Sequence, residues 1–291
     1  MFKSLTSFLE ALFLIVVVGC LLYAGVARLL GCKYRKHFFG TRKISGQGTE
    51  IPLEGNLFAV NTILKDQIVF SPENRIRSLN VALFLRWIEE GKVQVKEPDK
   101  ASEGKPHFYF PENVKISDPV EKQWYGYFLE AAGEDRDLLA RELAYWAGYV
   151  AGNHEKVAGE DFLEQGKMWI EKHNYIEKVT PWNIHLNEAG QKAARPVVEL
   201  ENYLNALMEG KAVAEPDSAK VPYYLQLATI LGKEKEFLTA LKEKYPAQHS
   251  ALAAQMGCSD SQLDAIVAYC RRMVEVMWDE ADETFEDIYG A

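Results

Sequence analysis

The sequence predicts a mainly helical α+β protein with a single transmembrane helix at its N-terminus. Three observations lead to this prediction: an apolar run near the start, a helical pattern that changes to strand alternation after a glycine, and a long amphipathic stretch at the end. With 291 residues, the chain has room for one or two soluble domains after the apolar run.

The apolar run is long enough to cross a bilayer. It extends from Ala11 to Ala27 without a charge, and it reaches Cys32 if Arg28 snorkels to the membrane surface. A membrane-spanning helix needs about 20 residues, whereas the apolar core of a signal peptide has roughly 7–15. We therefore predict an uncleaved anchor, residues 1–43 with its flank. Its apolar residues include Leu12, Phe13, Leu14, Ile15, Val16, Val17, Val18, Leu21, Leu22 and Tyr23.

The same run contains a second signal. Val17-Val18-Gly19-Cys20 spells a lipobox, which directs lipidation of the cysteine after cleavage. The residues after Cys20 stay apolar, whereas a lipoprotein linker normally turns polar there. A lipoprotein anchored at Cys20, with an extracytoplasmic domain, remains the alternative.

Charge predicts which side of the membrane the soluble region occupies. Residues 1–43 hold seven Lys/Arg and one Glu, and most of the basic residues follow the span. Cytoplasmic flanks carry the basic excess, so we predict an N-terminus outside and a cytoplasmic domain at the bacterial inner membrane. The residues expected to contact lipid headgroups are Lys33, Arg35, Lys36, Arg42 and Lys43.

The soluble region is acidic. Residues 44–291 hold 26 Lys/Arg and 41 Asp/Glu, a net charge of −15. Nucleic-acid affinity depends largely on neutralising phosphates with basic side chains, so no nucleic-acid partner is expected.

A helix followed by two strands begins the soluble region. A Gly-rich segment, 44–56, is predicted to be a linker. From Leu79 the apolar residues follow a helical period, Gly91 ends the helix, Val93 and Val95 alternate as in a strand, and a second strand covers 107–112. This order is typical of a winged-helix half, so 57–130 is predicted to be a winged-helix-like module.

The order recurs once. Residues 162–179 predict a helix that leads into a strand, and 182–194 predict a strand, an N-cap at Asn187 and a further helix. We therefore predict a second winged-helix-like module over 131–195, although two unrelated α+β segments would give the same pattern. The mixed charges of both modules favour a structural or protein-binding role over DNA binding.

Helices are predicted for the rest of the chain. In the segment 196–257, Pro196 suits a helix start and two short helices flank Leu231-Gly232. The segment 258–291 is predicted to be one acidic amphipathic helix, opened by a capping box of Ser259 and Gln262.

The sequence contains no recognisable catalytic motif, so we predict a protein that is not an enzyme and has no cofactor and no small-molecule substrate. His154-Glu155, near Glu160 and Asp161, is a conceivable metal site, but surface turns commonly hold such residues. Cys258 and Cys270 are predicted to be ordinary thiols. No metal site is predicted.

Aromatic and methionine side chains supply the candidate protein interface. Their helical spacing favours core packing, and those left exposed would favour contact with a partner. The candidates are Trp124, Tyr127, Trp146, Met273, Met277 and Phe285.

Part of the chain resembles a known family. The stretches "GKMWIEKHNYIEKV", "HLNEAGQKAARPVVELENYLNAL" and "VPYYLQLATILGKEKEFLTAL" resemble the cytoplasmic region of the YciQ-like predicted membrane proteins, a family of unknown function. The resemblance covers about 75–245, and Asn187 stands where the family usually has Thr. It implies a membrane topology and a small winged unit followed by helices, but no activity. The family's large extracytoplasmic β-domain and later transmembrane helices have no counterpart in this sequence.

These observations together predict a single-pass membrane protein. Its cytoplasmic domain is expected to act as a protein-binding scaffold or as a subunit of a membrane assembly, with membrane lipid and an unidentified protein as partners. A membrane-tethered winged-helix transcription regulator is the alternative, and it requires a basic recognition surface.

Overall fold

The computed structural model describes residues 44–64, 72–97, 106–150, 159–180 and 183–289. Within these ranges the chain is mainly helical with small antiparallel sheets, which confirms the predicted fold class at that level. The helices are α1 (Leu57–Leu64), α2 (Pro72–Glu89), α3 (Pro119–Ala132), α4 (Ala140–Val150), α5 (Gly159–Lys172), α6 (Glu188–Glu209), α7 (Val221–Ile230), α8 (Glu234–Lys244), α9 (Pro246–Gln255) and α10 (Asp260–Tyr289). The strands are β1 (Gln94–Lys96), β2 (His107–Tyr109), β3 (Asp137–Leu138), β4 (Ile176–Thr180) and β5 (Asn183–Leu186), and a 3-10 turn covers Leu53–Gly55.

The first sheet follows α2 directly. Gly91 ends the helix with a φ of 69°, a left-handed conformation that glycine adopts without steric penalty. Strands β1 and β2 then pair antiparallel, with Val95 opposite Phe108. A third strand, β3, pairs with β2 through Leu138. This strand was not predicted, because two residues are too few to show an alternating pattern.

Helix α2 lies at the centre of the fold. It packs against α7 and α10. The ring centroid of its Phe84 lies 4.9 Å from the ring centroids of both Phe108 and Phe128. All ten residues of α7 are buried. One continuous hydrophobic cluster runs from Leu53 to Met277, so each predicted segment after residue 43 contributes to the same core.

The second hairpin and the helix before it, α5, pack closely against neighbouring backbone at two glycines. Helix α5 crosses α1 at Gly166, where an added Cβ would lie 2.2 Å from Thr62 Oγ1 and 2.3 Å from the Phe58 carbonyl oxygen. Strand β4 pairs antiparallel with β5, and a Cβ on Gly190 would lie 2.3 Å from the Tyr175 carbonyl oxygen. Glycine is required at both positions because the neighbouring backbone occupies the space of a side chain.

Helix α6 corrects one predicted boundary. Asn187 caps it as predicted, because its Oδ1 accepts the Gly190 N–H at 2.8 Å. Pro196, predicted to start a helix, instead lies inside α6, so the boundary predicted between 195 and 196 falls within one helix. A proline inside a helix removes one backbone hydrogen bond. Here Ala194 and Val197 are buried on either side and hold the helix against the core.

The C-terminal helix follows its predicted apolar stripe. The side chains from Leu263 through Cys270 to Met277 that were predicted to share one face are buried. Ser259 N–H donates to Gln262 Oε1 at 2.9 Å, which is one half of the predicted capping box. Helix α9 lies in the segment 196–257 that was predicted to be helical, but it was not predicted as a separate helix, since its short alanine-rich sequence has little amphipathic pattern.

The predicted membrane span lies outside the described residues. Of the helices that the structure does describe, none combines the length and apolar character needed to cross a bilayer.

Candidate functional site: the strap at the start of the folded region

The first described residues do not form a free linker. Residues 44–52, which we call the strap, have no regular secondary structure, but they lie against α6 and the start of α7. They follow directly after the basic residues Arg42 and Lys43 in the sequence. The strap is therefore the link between the predicted anchor and the folded region.

Helix α6 holds the first half of the strap through one side chain and one carbonyl. Asn202 Nδ2 donates to the Ile44 carbonyl at 3.2 Å and to the Gly46 carbonyl at 3.0 Å. Gly48 N–H donates to the Glu199 carbonyl at 3.0 Å. These bonds replace water at strap backbone groups that would otherwise be solvated.

The loop after α6 and the start of α7 hold the second half. Val213 N–H donates to Gln47 Oε1 at 3.1 Å. The Thr49 carbonyl accepts from Lys220 Nζ at 3.2 Å and from the Tyr224 hydroxyl at 2.8 Å. Burial raises the pKa of Tyr224, so its hydroxyl stays neutral and can donate throughout the ordinary pH range.

The glycines of the strap allow this close contact. A Cβ on Gly48 would lie 3.0 Å from Glu199 Cβ, and one on Gly46 would lie 3.3 Å from Glu199 Oε1. A larger residue at position 48 would push the strap away from α6, whereas one at position 46 would meet the flexible end of the Glu199 side chain.

The strap ends in a turn of unusual backbone conformation. Leu53 and Glu54 have φ values of 48° and 54°, a left-handed conformation that is unfavourable for residues other than glycine. Leu53 is buried, and Arg86 Nη2 on α2 donates to the Gly55 carbonyl at 2.6 Å. Asn56 then caps α1, because its Oδ1 accepts the Ala59 N–H at 2.8 Å. The turn is thus held by the contacts of Leu53 and Gly55 with the folded region and by the helix cap at Asn56 that follows it.

A polar cluster lies beneath this turn, between α2 and α7. Arg86 Nε donates to Gln226 Oε1 at 3.2 Å, and Gln226 Nε2 donates to Glu89 Oε2 at 3.5 Å. Loss of water around the carboxylate, with the neighbouring Glu90 adding to it, raises the pKa of Glu89. Arg86 therefore joins the turn, α2 and α7 in one network.

The residues predicted for the membrane anchor and the headgroup contacts lie outside the described residues, as does the pair His154-Glu155. These are the anchor residues (Leu12 to Val18 and Leu21 to Tyr23), Cys20 and the headgroup residues Lys33, Arg35, Lys36, Arg42 and Lys43. The described residues contain no group of three or more His, Cys, Asp or Glu that could hold a metal ion.

The candidate interface residues lie mainly in the core. Trp124 and Met277 are each 1% exposed, and Trp146 and Met273 are also buried. Tyr127 is partly buried beside Trp146, with 5.3 Å between the two ring centroids. The side chain of Phe285 is not among the side chains that the structure describes. The interface role predicted for the four buried side chains is therefore corrected, because they already pack within this chain.

A small cleft lies between the first hairpin and the start of α10. Its volume is about 210 Å³, and Lys96, Glu97, Cys258 and Gln262 are among its lining residues. Gln262 Nε2 donates to Glu97 Oε2 at 2.9 Å across the cleft. Burial, with Asp260 and Glu97 nearby, raises the pKa of the Cys258 thiol to about 11, which agrees with the predicted ordinary thiol.

Sequence reasoning missed the residues that hold the strap and the turn that follows it. Asn202 and Arg86 look like ordinary polar positions on amphipathic helices. Gln226 gave the one available signal, because it is a lone amide in the apolar segment "VPYYLQLATI". A polar residue in the middle of a buried helix indicates a buried hydrogen-bonding partner.

Comparison of the chain with models of protein families, with curated proteins and with solved structures finds no match in any of the three.

Proposed function

We propose that this protein is a single-pass membrane-anchored protein whose folded region is cytoplasmic and whose N-terminus faces out. The observation that carries the proposal is the strap. Ile44, the first described residue, is hydrogen-bonded through its carbonyl to Asn202 on α6, and it follows directly after the basic residues Arg42 and Lys43. Cytoplasmic flanks of membrane spans carry such a basic excess, so this order suits a folded region that follows a membrane anchor.

Within that setting, the folded region serves as a protein-binding scaffold or as a subunit of a membrane assembly. Two large apolar side chains on its surface support this role, Tyr145 on α4 at 71% exposure and Met168 on α5 at 54%. Tyrosine and methionine are enriched at protein interfaces. They replace the buried tryptophans as the candidate contacts with a partner.

We interpret the two helix-and-hairpin segments, α2–β1–β2 and α5–β4–β5, as winged-helix-like modules. Their element order and antiparallel pairing support this interpretation. The resemblance to the YciQ-like proteins remains a prediction from the sequence and adds no independent support.

A DNA-binding role for these modules has less support. A recognition helix needs a free basic face in the major groove. Helix α2 is enclosed by α7 and α10, and its Arg86 points inward to Gln226 and Gly55. Helix α5 carries a balanced pair, with Lys167 Nζ 2.7 Å from Glu164 Oε1.

Membrane fractionation of the full chain tests the anchor. We expect the protein in the membrane pellet after an alkaline carbonate wash, and we expect Cys20→Ser to change its mass by no more than the replacement of sulfur by oxygen and to leave its location unchanged. Recovery in the soluble fraction would contradict the proposal. A lipid-sized mass difference between the two forms would instead establish the lipoprotein alternative.

Affinity purification from detergent-solubilised membranes tests the scaffold role. We expect co-purified proteins that are lost with Met168→Glu and Tyr145→Glu but kept with Lys122→Glu, an exposed position on α3. Recovery of the protein alone at every salt concentration would contradict the scaffold role and leave the anchor unaffected.

A further inference from the structure

We propose that two copies of this chain exchange their straps, so that the strap of each copy lies on α6 and α7 of the other. The residues that hold a strap, which we call the strap site, are Glu199, Asn202, Val213, Lys220 and Tyr224. The inference goes beyond the proposed function, because it names a second copy as a partner and does not depend on whether the chain is anchored in a membrane.

The strap site itself identifies its occupant. Three strap carbonyls, the Gly48 N–H and the Gln47 side chain are hydrogen-bonded to it. A Cβ at position 48 would lie 3.0 Å from Glu199 Cβ, so the site takes glycine at this point. The strap of a second copy offers the same groups in the same order. Exchange therefore replaces each hydrogen bond with an identical one.

The strap is only lightly buried. None of the residues 44–51 is buried, and Ile51 is 41% exposed. Burial begins at Pro52. Hydrogen bonds at a protein surface add little net free energy, because water replaces them when the segment leaves. The strap can therefore leave its site while the core remains folded.

The link between the strap and the core is strained at one exposed residue. Glu54 has a φ of 54°, a left-handed conformation that costs free energy in a residue with a Cβ, and its side chain is 77% exposed. Leu53 is buried and moves with the strap into the same pocket of the other copy. An extended Glu54 loses its strain, while the N–H groups of Gly55 and Asn56 exchange their turn hydrogen bonds for water. Short links under strain favour exchange between copies.

The residues on either side of Glu54 keep their conformation. Pro52 is already extended, with a φ of −81° and a ψ of 161°. On the core side, Arg86 Nη2 donates to the Gly55 carbonyl at 2.6 Å, and Asn56 caps α1. The change of conformation is therefore confined to Glu54, and no part of the core has to unfold.

Cross-linking between differently tagged copies tests the exchange. Two full-length chains are co-expressed, one with Gln47→Cys in its strap and the other with Val213→Cys in its strap site. Gln47 Oε1 lies 3.1 Å from the Val213 backbone nitrogen, so a short bis-maleimide joins the two tags when the strap of one copy lies on the other. The hydrogen bond that Gln47→Cys removes is lost equally with and without exchange.

Two controls accompany this pair. Lys122→Cys, at an exposed position on α3, takes the place of the cysteine in the strap site and measures cross-linking by chance encounter. All chains also carry Cys20→Ser and Cys32→Ser. Burial raises the pKa values of the native thiols Cys258 and Cys270, and a sample without added cysteines verifies that they do not react.

We expect about tenfold more product with Val213→Cys than with Lys122→Cys, because an exchanged strap holds the two thiols together. Two substitutions at Glu54 then test the link. Glu54→Gly and Glu54→Ala both remove the carboxylate that lies 3.9 Å from His173, and they differ in their tolerance of a positive φ. The glycine variant should give about fivefold less product than the alanine variant, since its closed turn is unstrained.

Each outcome decides for or against the exchange. Equal amounts of product with Val213→Cys and with Lys122→Cys would show that each strap stays on its own copy, which overturns the proposal. Equal yields from the two Glu54 variants would overturn it as well, since the strained link would then not drive the exchange. A single chain with both cysteines must react within one copy or between two, and the absence of both products would contradict the strap site itself. Membrane fractionation is a separate measurement, so failure of the exchange and failure of the anchor are distinguishable.

Discussion

Two segments of the molecule share the order helix, antiparallel hairpin, and each contains a glycine that is required for a different reason. In α2–β1–β2, Gly91 is required for its φ of 69°, and a Cβ there would meet nothing within 4 Å. In α5–β4–β5, Gly166 is required for space, because the α1 backbone lies 2.3 Å from its Cβ position. Glycine thus meets two physical requirements in the two segments, a backbone conformation after the end of α2 and a close approach in the interior of α5.

The two helices also differ in surroundings. Helix α2 is enclosed, and the indole N–H of Trp87 donates to Glu121 at 2.8 Å inside the fold. Helix α5 buries Phe162 and Ile170 but exposes Glu164 and Met168. The second segment therefore has the face that remains available to a partner, and the first stabilises the core.

The largest expected effect concerns the crossing of α5 and α1. Gly166→Ala should lower the free energy of unfolding by about 3 kcal/mol or more, because the helices must separate to admit the methyl group. The matched control is Gly126→Ala in α3, where a Cβ meets nothing within 4 Å and the better helix former should add about 0.5–1 kcal/mol. Urea titrations of both variants measure the difference. Equal effects would show that α5 does not approach α1 closely.

The next effect concerns the polar cluster beside α2. Arg86→Met should cost about 2–3 kcal/mol, because it leaves the Gly55 carbonyl and Gln226 without their partner. Lys167→Met on α5 removes a cation from an exposed pair and should change stability by less than about 0.5 kcal/mol. Thermal unfolding compares the two. A loss at Lys167 as large as that at Arg86 would contradict the contrast between enclosed and exposed helices.

A smaller effect tests the conformational glycine. Gly91→Ala should cost about 1 kcal/mol, because alanine disfavours a positive φ even where space is open. Gly91→Asn should cost less, since asparagine tolerates the left-handed region. Denaturant midpoints of the two variants give the order. Identical losses for Ala and Asn would indicate that space, rather than conformation, decides this position.

The smallest effect concerns the cleft beside the first hairpin. The pKa of Cys258 is raised to about 11, and only the thiolate is alkylated, so its reaction with iodoacetamide should be slow at pH 8. The rate should rise about tenfold per pH unit between pH 7.5 and 9.5, without levelling off near 9. Glu97→Gln should increase the rate at pH 8, since it removes a negative charge that opposes the thiolate. Mass spectrometry of the Cys258 peptide follows the reaction, and a plateau near pH 9 would contradict the raised pKa.

Local patterns predicted the parts of the fold that depend on neighbouring residues. The stop at Gly91, the strands around Val95 and Phe108, the cap at Asn187 and the apolar face of α10 were visible within short windows. The sequence did not show whether the aromatic residues are exposed or buried. A helical period shows that side chains share one face of a helix, but it does not show which element packs against that face.

The candidate site could not be predicted for a related reason. The Gly-rich segment 44–56 has the composition of a linker, and its main partner Asn202 is more than 150 residues away in the chain. Hydrogen bonds between strap carbonyls and distant side chains leave no periodic signal. The membrane span and its basic flank remain predictions from the sequence alone.

The attachment of the strap has a consequence for preparing the protein without its apolar N-terminus. A truncated fragment that starts at Leu57, where the first α-helix begins, would remove the groups bonded to Asn202, Tyr224 and Arg86 and would uncover the pocket of Leu53. A fragment that starts at Ile44 keeps all of them. The thirteen residues that look dispensable in the sequence are therefore the ones to keep when a water-soluble form is expressed for crystallisation.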